Sequence, residues 1–388
     1  MKATLATAQR ELQQWRSARS DRILLALPLI LGLLVWWLFA SGSPQSLPIT
    51  VVDLDQSGHS RALVRLIDAT PAVAIAHRTD NAAEAQQHLL TRYSYAVLII
   101  PHDFSQHLNR GTGATLILQH NAQFATHSSQ IVRAVRSVST TYSAAARASL
   151  YSSQGVRPEQ AIALAMPIQV EATALFNESM DYEQFLAATL IPALLQILIM
   201  VAVVSAIGRE LRDGTAQQWL DHAQGQLVAA VVGKLLPYFV VFIGYGLAFL
   251  LWFAFSRGMH IEGSLAAVLL GLLLLVSASM ALGVLLIALA RNLRMALSLT
   301  GVYTAPAFAF AGQAYPLVAM PPAAQALAST LPLTHWLDIQ NQQWLAGAPL
   351  STAWPSLWIL LFMTLVPLWL GLRLLQRSAF QQEQWGAR

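Results

Sequence analysis

The sequence predicts a polytopic α-helical membrane protein with six transmembrane helices and an α/β domain inserted between helices 1 and 2. Three observations predict it. The 388 residues are 55% hydrophobic and only 11% charged, where ordinary soluble domains carry roughly 25% charged residues. The apolar residues gather in discrete runs, one near the N-terminus and the rest after residue 184. Between them, residues 41–184 have mixed composition, and short β-like runs alternate with helical spacing.

A hydrocarbon core about 30 Å thick takes roughly 20 apolar residues at about 1.5 Å each. Residues 23–40, 185–207, 227–255, 265–290, 295–315 and 354–375 meet that length. Pro237 and Pro306 fall inside the third and fifth runs; prolines are tolerated where neighbouring helices satisfy the freed carbonyls. The first run follows Arg22 and precedes Ala40, Ser41 and Gly42, as a cleavable signal would. Its leader is long and its apolar stretch exceeds the roughly 7–15 residues of a signal, so it reads as an anchor.

Lysine and arginine bias over short loops sets the orientation. Residues 1–22 hold Lys2, Arg10, Arg16, Arg19 and Arg22. Arg209 and Arg212 follow the second run, Arg291 and Arg294 join the fourth to the fifth, and Arg373, Arg377 and Arg388 end the chain. On the opposite side stand Arg257 and a stretch, 316–353, with no lysine or arginine. Both termini are therefore expected in the cytoplasm, with 41–184 outside. Residues 208–226 become a cytoplasmic loop, 316–353 an external re-entrant segment and 376–388 a cytoplasmic tail.

Within the external segment, strands are expected at 49–52, 72–76, 95–100 and 115–119, and helices at 57–69, 81–90, 101–108 and 122–153. Residues 154–183 lead back to the membrane. Basic residues form no face or stripe, which argues against nucleic acid. Cysteine is absent, which removes disulfides and thiol chemistry.

Two polar segments stand out as candidates for function. After the second run, Glu210, Arg212 and Asp213 precede Gly214-Thr215, where Thr215 can cap a short helix that presents Trp219 and Leu220 on one face. A short helix beside the bilayer suits contact with a partner subunit, although a plain solvated loop has the same spacing. Residues 1–22 read as an interfacial amphipathic helix: Leu5, Ala8, Leu12 and Trp15 fall near one face, with Arg10, Glu11, Arg16 and Arg19 on others.

Other polar groups carry blander readings. Asp53, Asp55 and His59, or His102, Asp103 and His107, invite a metal, but lack a recognised ligand spacing. Asp55 or Ser57 can instead cap a helix, and Asp103 can sit in a first turn. No strand–Gly-x-Ser-x-Gly–helix elbow supports a hydrolase. Gln196, Ser205, Ser277 and Ser279 suit interhelical hydrogen bonds. Lys234, near the end of its run, is expected to snorkel toward water.

Beyond these readings, the sequence resembles the type-2 ABC exporter permease family, in members with a large external domain between the first two spans. Glu210-Leu211-Arg212-Asp213-Gly214-Thr215, Trp219-Leu220 and Gly233-Lys234 with Pro237-Tyr238 resemble its coupling loop and third-helix entry. Phe308, Phe310, Gly312, Tyr315-Pro316, Met320-Pro321 and Leu331-Pro332-Leu333-Thr334-His335-Trp336 look like its terminal signature. Asp53, Asp55, Ser57, Ser60-Arg61, Ile100-Pro101, Asp103-Phe104 and Arg110-Gly111 are similar to its external domain. Arg212 and Gln217 depart from the acidic residues usual in the family, and Asp221-His222 stand in place of its Thr-Pro.

The resemblance implies a transport subunit rather than an enzyme. No Gly-x-x-x-x-Gly-Lys-Ser/Thr loop occurs, so no cofactor is expected on this chain, and ATP with Mg would be held by a separate ABC ATPase subunit. A second permease chain, identical or not, would complete the pathway, and a periplasmic adaptor with an outer-membrane channel can extend it. Coupling to the ATPase would run through Glu210, Arg212, Asp213, Gly214, Thr215 and Trp219, with Trp15 and Arg16. Tyr238, Tyr245, Phe308 and Phe310 are the candidate pathway residues for an amphiphilic cargo, and no metal site is expected. The alternatives are a mechanotransmission protein that regulates a periplasmic partner, which usually has four spans, and a membrane-anchored enzyme.

Overall fold

The computed structural model describes residues 2–39, 44–165, 182–256 and 258–379. The small residues 40–42, most of the return segment 154–183, Arg257 and the end of the tail with Arg388 lie outside the described residues. The chain divides into two compact units, Ser41–Ala174 and the combination of Met1–Ala40 with Leu175–Arg388.

The chain begins with α1 (Lys2–Ser17) and α2 (Arg19–Phe39), the latter opening with Asp21 in its first turn. An acid there suits the positive end of the helix dipole.

The Ser41–Ala174 unit follows in the order β1 (Leu47–Asp53), α3 (Gly58–Asp68), β2 (Val73–Thr79), α4 (Ala82–Leu90), β3 (Ala96–Ile100), α5 (Phe104–Arg110), β4 (Ile117–His120), α6 (Ala125–Ser153) and α7 (Pro158–Ala165). Its sheet has the order β2-β1-β3-β4; β1 is parallel to β2 and to β3, and β4 is antiparallel to β3. Parallel neighbours need a crossover, which α3 and α4 provide. On one face Ile49, Val51, Leu98 and Ile100 pack with Leu63 and Ile67 of α3 and Ile131 of α6. On the other, Val52 and Val97 meet Ala85 of α4. Ser57 caps α3, its hydroxyl accepting from the Ser60 N–H at 3.1 Å. Ile49 pairs with Ile75 but Thr50 pairs with His77, so Ala76 is an extra residue in β2. Such a bulge reverses which face the following side chains occupy.

The other unit resumes with α8 (Tyr182–Arg212), α9 (Ala216–His222), α10 (Leu227–Ser256), α11 (Leu265–Ala290), α12 (Leu293–Thr304), α13 (Ala307–Phe310), α14 (Pro322–Ser329), α15 (Pro332–Ile339) and α16 (Trp354–Ala379). Among the described residues five helices are long and apolar enough to cross a membrane: α2, α8, α10, α11 and α16. The run 295–315 is not a sixth continuous helix. Its 12-residue α12 rises only about 18 Å, and Pro306 stands at the start of the four-residue α13. Proline donates no backbone N–H, so the ladder stops there.

Residues 316–353 form short helices, too brief to span. Trp336 of α15 and Trp344 in the π-helical turn that follows are fully buried. Trp344 Nε1 donates to the Met259 carbonyl at 2.8 Å, and Gln340 Nε2 to the Ala188 carbonyl of α8 at 3.1 Å. Leu29, Leu33 and Trp37 of α2, and Trp358, Phe362 and Trp369 of α16, are exposed. Outward apolar faces of this size suit hydrocarbon rather than water. The interhelical bonds expected of the span polar groups are not made by three of them. Ser277 and Ser279 donate within α11 to the Leu273 and Leu275 carbonyls. Gln196 is buried in α8 without a hydrogen-bond partner among the described residues.

Candidate functional site

Helix α1 packs against α10 and crosses it at Gly233. A Cβ at that position would lie 2.4 Å from the Thr4 carbonyl oxygen, so no side chain fits between the two backbones. Small residues at a helix crossing permit this approach. One residue further along α10, Lys234 enters the contact with 0% exposure. Its ammonium donates to Glu11 Oε2 of α1 at 2.5 Å and to Glu210 Oε1 of α8 at 2.7 Å.

Both carboxylates carry further partners. Arg10 grips Glu210 with two bonds, at 2.7 and 3.1 Å, and the Thr215 hydroxyl donates to Glu210 Oε2 at 2.5 Å. Glu11 Oε1 accepts from Arg209 at 2.8 Å and from the Tyr238 hydroxyl at 2.8 Å. Arg209 also pairs with Asp21, at the start of α2. The cluster thus sets Arg10, Arg209 and Lys234 against Glu11, Asp21 and Glu210, three charges of each sign. Burying a lone ion costs several kcal/mol, and the penalty is offset only by close geometry and satisfied lone pairs. Here each carboxylate has at least one cation, and the sum is neutral. The cluster ties α1, α2, α8 and α10 together at one end of the unit.

Helix α9 closes this end. Gly214, with φ of 68°, occupies the left-handed conformation that terminates α8, as glycine does at helix ends. Thr215 follows but makes no side-chain cap bond; its hydroxyl is committed to Glu210 instead. Trp219 is 1% exposed. Its Nε1 donates to the Ala230 carbonyl at 3.2 Å, and the Lys234 ammonium sits 5.6 Å from its ring centroid. Gln217, Gln218, Asp221 and His222 form the exposed side of α9.

The other coupling candidates lie around this core. Arg212 and Asp213 are exposed and pair with each other at 2.7 Å. The Arg212 bond holds the Asp213 carboxyl below its ordinary range, although such surface pairs contribute little to stability. Trp15 packs edge-on against Tyr238, with centroids 4.8 Å apart, and Arg16 is exposed.

Two sequence readings are corrected here. Lys234 does not snorkel; it is enclosed and paired on both sides. Helix α1 buries Ala3, Thr7, Ala8 and Glu11, while Leu5 and Leu12 are 51% and 46% exposed. Thr7 and Glu11 face the protein together with Ala8 and Trp15 of the predicted apolar face, and only the leucines of that face turn outward. Asp21, Arg209, Glu11 and Lys234 were absent from the coupling candidates. Their signal was the Thr7/Glu11 spacing and charges of opposite sign at the ends of neighbouring apolar runs.

The four pathway candidates do not converge. Tyr238 belongs to the charge cluster. Tyr245 lines a cavity of about 460 Å³ with Gly32 and Trp36 of α2, Leu195 and Leu198 of α8, and Phe249 of α10. Its hydroxyl donates to the Leu25 carbonyl at 2.7 Å. Phe308 and Phe310 are partly buried against the main core and do not line this cavity. Of the metal triads considered from spacing, Asp103 and His107 of the second triad pair with each other at 3.0 Å, and the first is engaged in hydrogen bonds of its own. Asp53 accepts from Ser60 and Gln56, Asp55 from Ser105, and His59 meets Tyr142.

The sequence profile of the ABC-2 family transporter proteins matches residues 20–373. This chain belongs to the ABC-2 transporter family. The Escherichia coli K12 protein named probable multidrug ABC transporter permease YbhR is 24% identical over 361 residues, 92% of this chain and 93% of its own. The inner membrane transport permease YhhJ of the same organism is 25% identical over 201 residues, 51% of this chain and 52% of its own. The ABC-2 chain is thus a multi-pass membrane permease by family and by its five long apolar helices. The matched span includes Asp21, Arg209, Glu210 and Lys234, whereas α1 with Arg10 and Glu11 precedes it.

Proposed function

We propose that this ABC-2 chain is the membrane subunit of an ATP-driven exporter that moves an amphiphilic, drug-like or lipid-like substrate out of the cytoplasm or inner leaflet. The observation that carries this reading is the buried charge cluster joining α1, α2, α8 and α10 beneath α9. A force applied to the exposed side of α9 reaches three long apolar helices through one rigid, desolvated body. That is the property a permease needs if a separate motor drives it. The sequence contains no phosphate-binding Gly-x-x-x-x-Gly-Lys-Ser/Thr loop, so the motor is an ABC ATPase subunit that binds ATP and Mg. ATP acts by binding one conformation of the assembly better than the other.

The charge bias of the loops supports a cytoplasmic position for the cluster, α9 and both termini, in what we read as a bacterial inner membrane. On that orientation the sheet unit is periplasmic and α14–α15 are re-entrant from outside. The broken helix α12–α13 completes a six-span topology. The outward apolar faces offer surface to lipid and to a second permease chain. The cavity beside Tyr245 is mostly apolar with a few polar atoms, which suits an amphiphile. The relative named as a multidrug transporter permease supports the same cargo class. A periplasmic adaptor and an outer-membrane channel would continue the route from the sheet unit.

The test is reconstitution with the co-expressed ATPase in proteoliposomes loaded with an amphiphilic fluorescent dye. Dye efflux is expected only with both chains and ATP, and the isolated chain is expected to bind no nucleotide. Nucleotide binding by the isolated chain, or efflux by the ATPase without it, overturns the proposal.

A further inference from the structure

The strand–helix face behind β1 carries a second polar group, unrelated to the charge cluster. His77 of β2 and Glu84 and His88 of α4 each offer a ligand atom, and these atoms all lie within 4.8 Å of one another. Two structural features assemble them. Glu84 and His88 are one helical turn apart and share a face of α4. The bulge at Ala76 turns His77 away from the Val73–Ile75 side and places it opposite Thr50, on the face that α4 covers.

Neighbouring hydroxyls hold the ligands in place. His88 Nδ1 is 3.2 Å from the Thr50 hydroxyl, which leaves Nε2 free to ligate. The Thr79 hydroxyl donates to Glu84 Oε2 at 2.5 Å, and His77 Nε2 is 3.4 Å from Glu84 Oε1. The His77 and His88 rings meet edge-on with centroids 4.7 Å apart, and Tyr93 flanks His88 at 5.0 Å. Hydrogen bonds to the outer nitrogen and oxygen of ligating side chains are the usual support of a metal centre. An acid and two imidazoles with a remaining open position are a donor set for zinc.

We propose that His77, Glu84 and His88 bind a zinc-type divalent transition metal, each through one atom, with a fourth position left to water or to a group from another molecule. The site is selective by donor chemistry: imidazole nitrogens disfavour Mg²⁺ and Ca²⁺, which prefer oxygen ligands. It is independent of the export reading, since its elements belong to the Ser41–Ala174 unit alone.

The experiment is calorimetric titration of Zn²⁺ into the full chain in detergent, stripped with chelator and carrying no polyhistidine tag. A saturable single-equivalent transition is expected, unaffected by excess Mg²⁺. His77→Ala and His88→Ala are expected to abolish it, and Thr50→Val to weaken it about 10–100-fold through loss of orientation. Glu84→Gln preserves shape at a partly exposed position and separates ligation from folding; it should bind at least tenfold more weakly with an unchanged circular dichroism spectrum. Absence of the transition, or wild-type affinity in His88→Ala or Glu84→Gln, overturns the proposal.

Discussion

Lys234 has no exposure to water, and Glu11 and Glu210 close on its ammonium from two other helices. Replacing it with methionine keeps the volume but leaves three carboxylates, Glu11, Asp21 and Glu210, sharing two arginines. Breaking one partner of a buried pair costs about 3–5 kcal/mol, so Lys234→Met is expected to lower the thermal midpoint of the detergent-purified chain. Glu11→Gln is expected to do the same. Because the two residues touch, the double variant should be less destabilised than the sum, by about 0.5–3 kcal/mol. Additive effects in that cycle would show that the contact does not couple them. The individual charges were visible in the sequence, but their pairing was not: Glu11 and Lys234 are 223 positions apart. Nothing local distinguishes a lysine that snorkels from one that is met by acids.

Helix α9 separates two roles on its two sides. Ala216, Trp219 and Leu220 turn inward, whereas Gln217, Gln218, Asp221 and His222 face out. Trp219→Ala is expected to cost about 3–5 kcal/mol, as large core truncations do, measured as a fall in thermal midpoint. Asp221→Arg changes only the outward side and should leave the midpoint within about 0.5 kcal/mol. It is expected to reduce ATP-driven dye efflux while the partner's basal hydrolysis continues; unchanged efflux would remove α9 from the coupling route. The existence of this short helix and the shared face of Trp219 and Leu220 were legible from the spacing, but the inward direction of that face was not. Helix α1 taught the same lesson more sharply. Its amphipathic period was correct, but the leucine side faces outward and the Thr7–Glu11 side faces the protein. Beside a membrane, hydrophobicity no longer identifies the inside of a structure, because hydrocarbon accepts leucine as readily as a core does. In the sheet unit the short apolar runs at 49–52 and 95–100 marked β1 and β3 closely. The Ala76 bulge that aims His77 at α4 left no such pattern.

At the scale of the whole molecule, the lack of cysteine allows the topology to be tested cleanly. A single cysteine at exposed Thr91, in the sheet unit, is expected to react with a membrane-impermeant maleimide in cells with a permeabilised outer membrane. One at exposed Gln217, on α9, should react only after the inner membrane is broken. The reverse pattern would invert the orientation assigned from arginine bias.

The sequence by itself determined the multi-pass character, the family and the separation of a mixed-composition unit from the apolar helices. Those depend on local composition and period, which tertiary contacts cannot alter. Tertiary structure decided where 295–315 breaks, how α1 is turned and which charges meet, because each depends on groups distant in the chain sharing one dry volume. The apolar runs announced the helices that cross the membrane; the buried charges at their ends decided which of those helices are tied together.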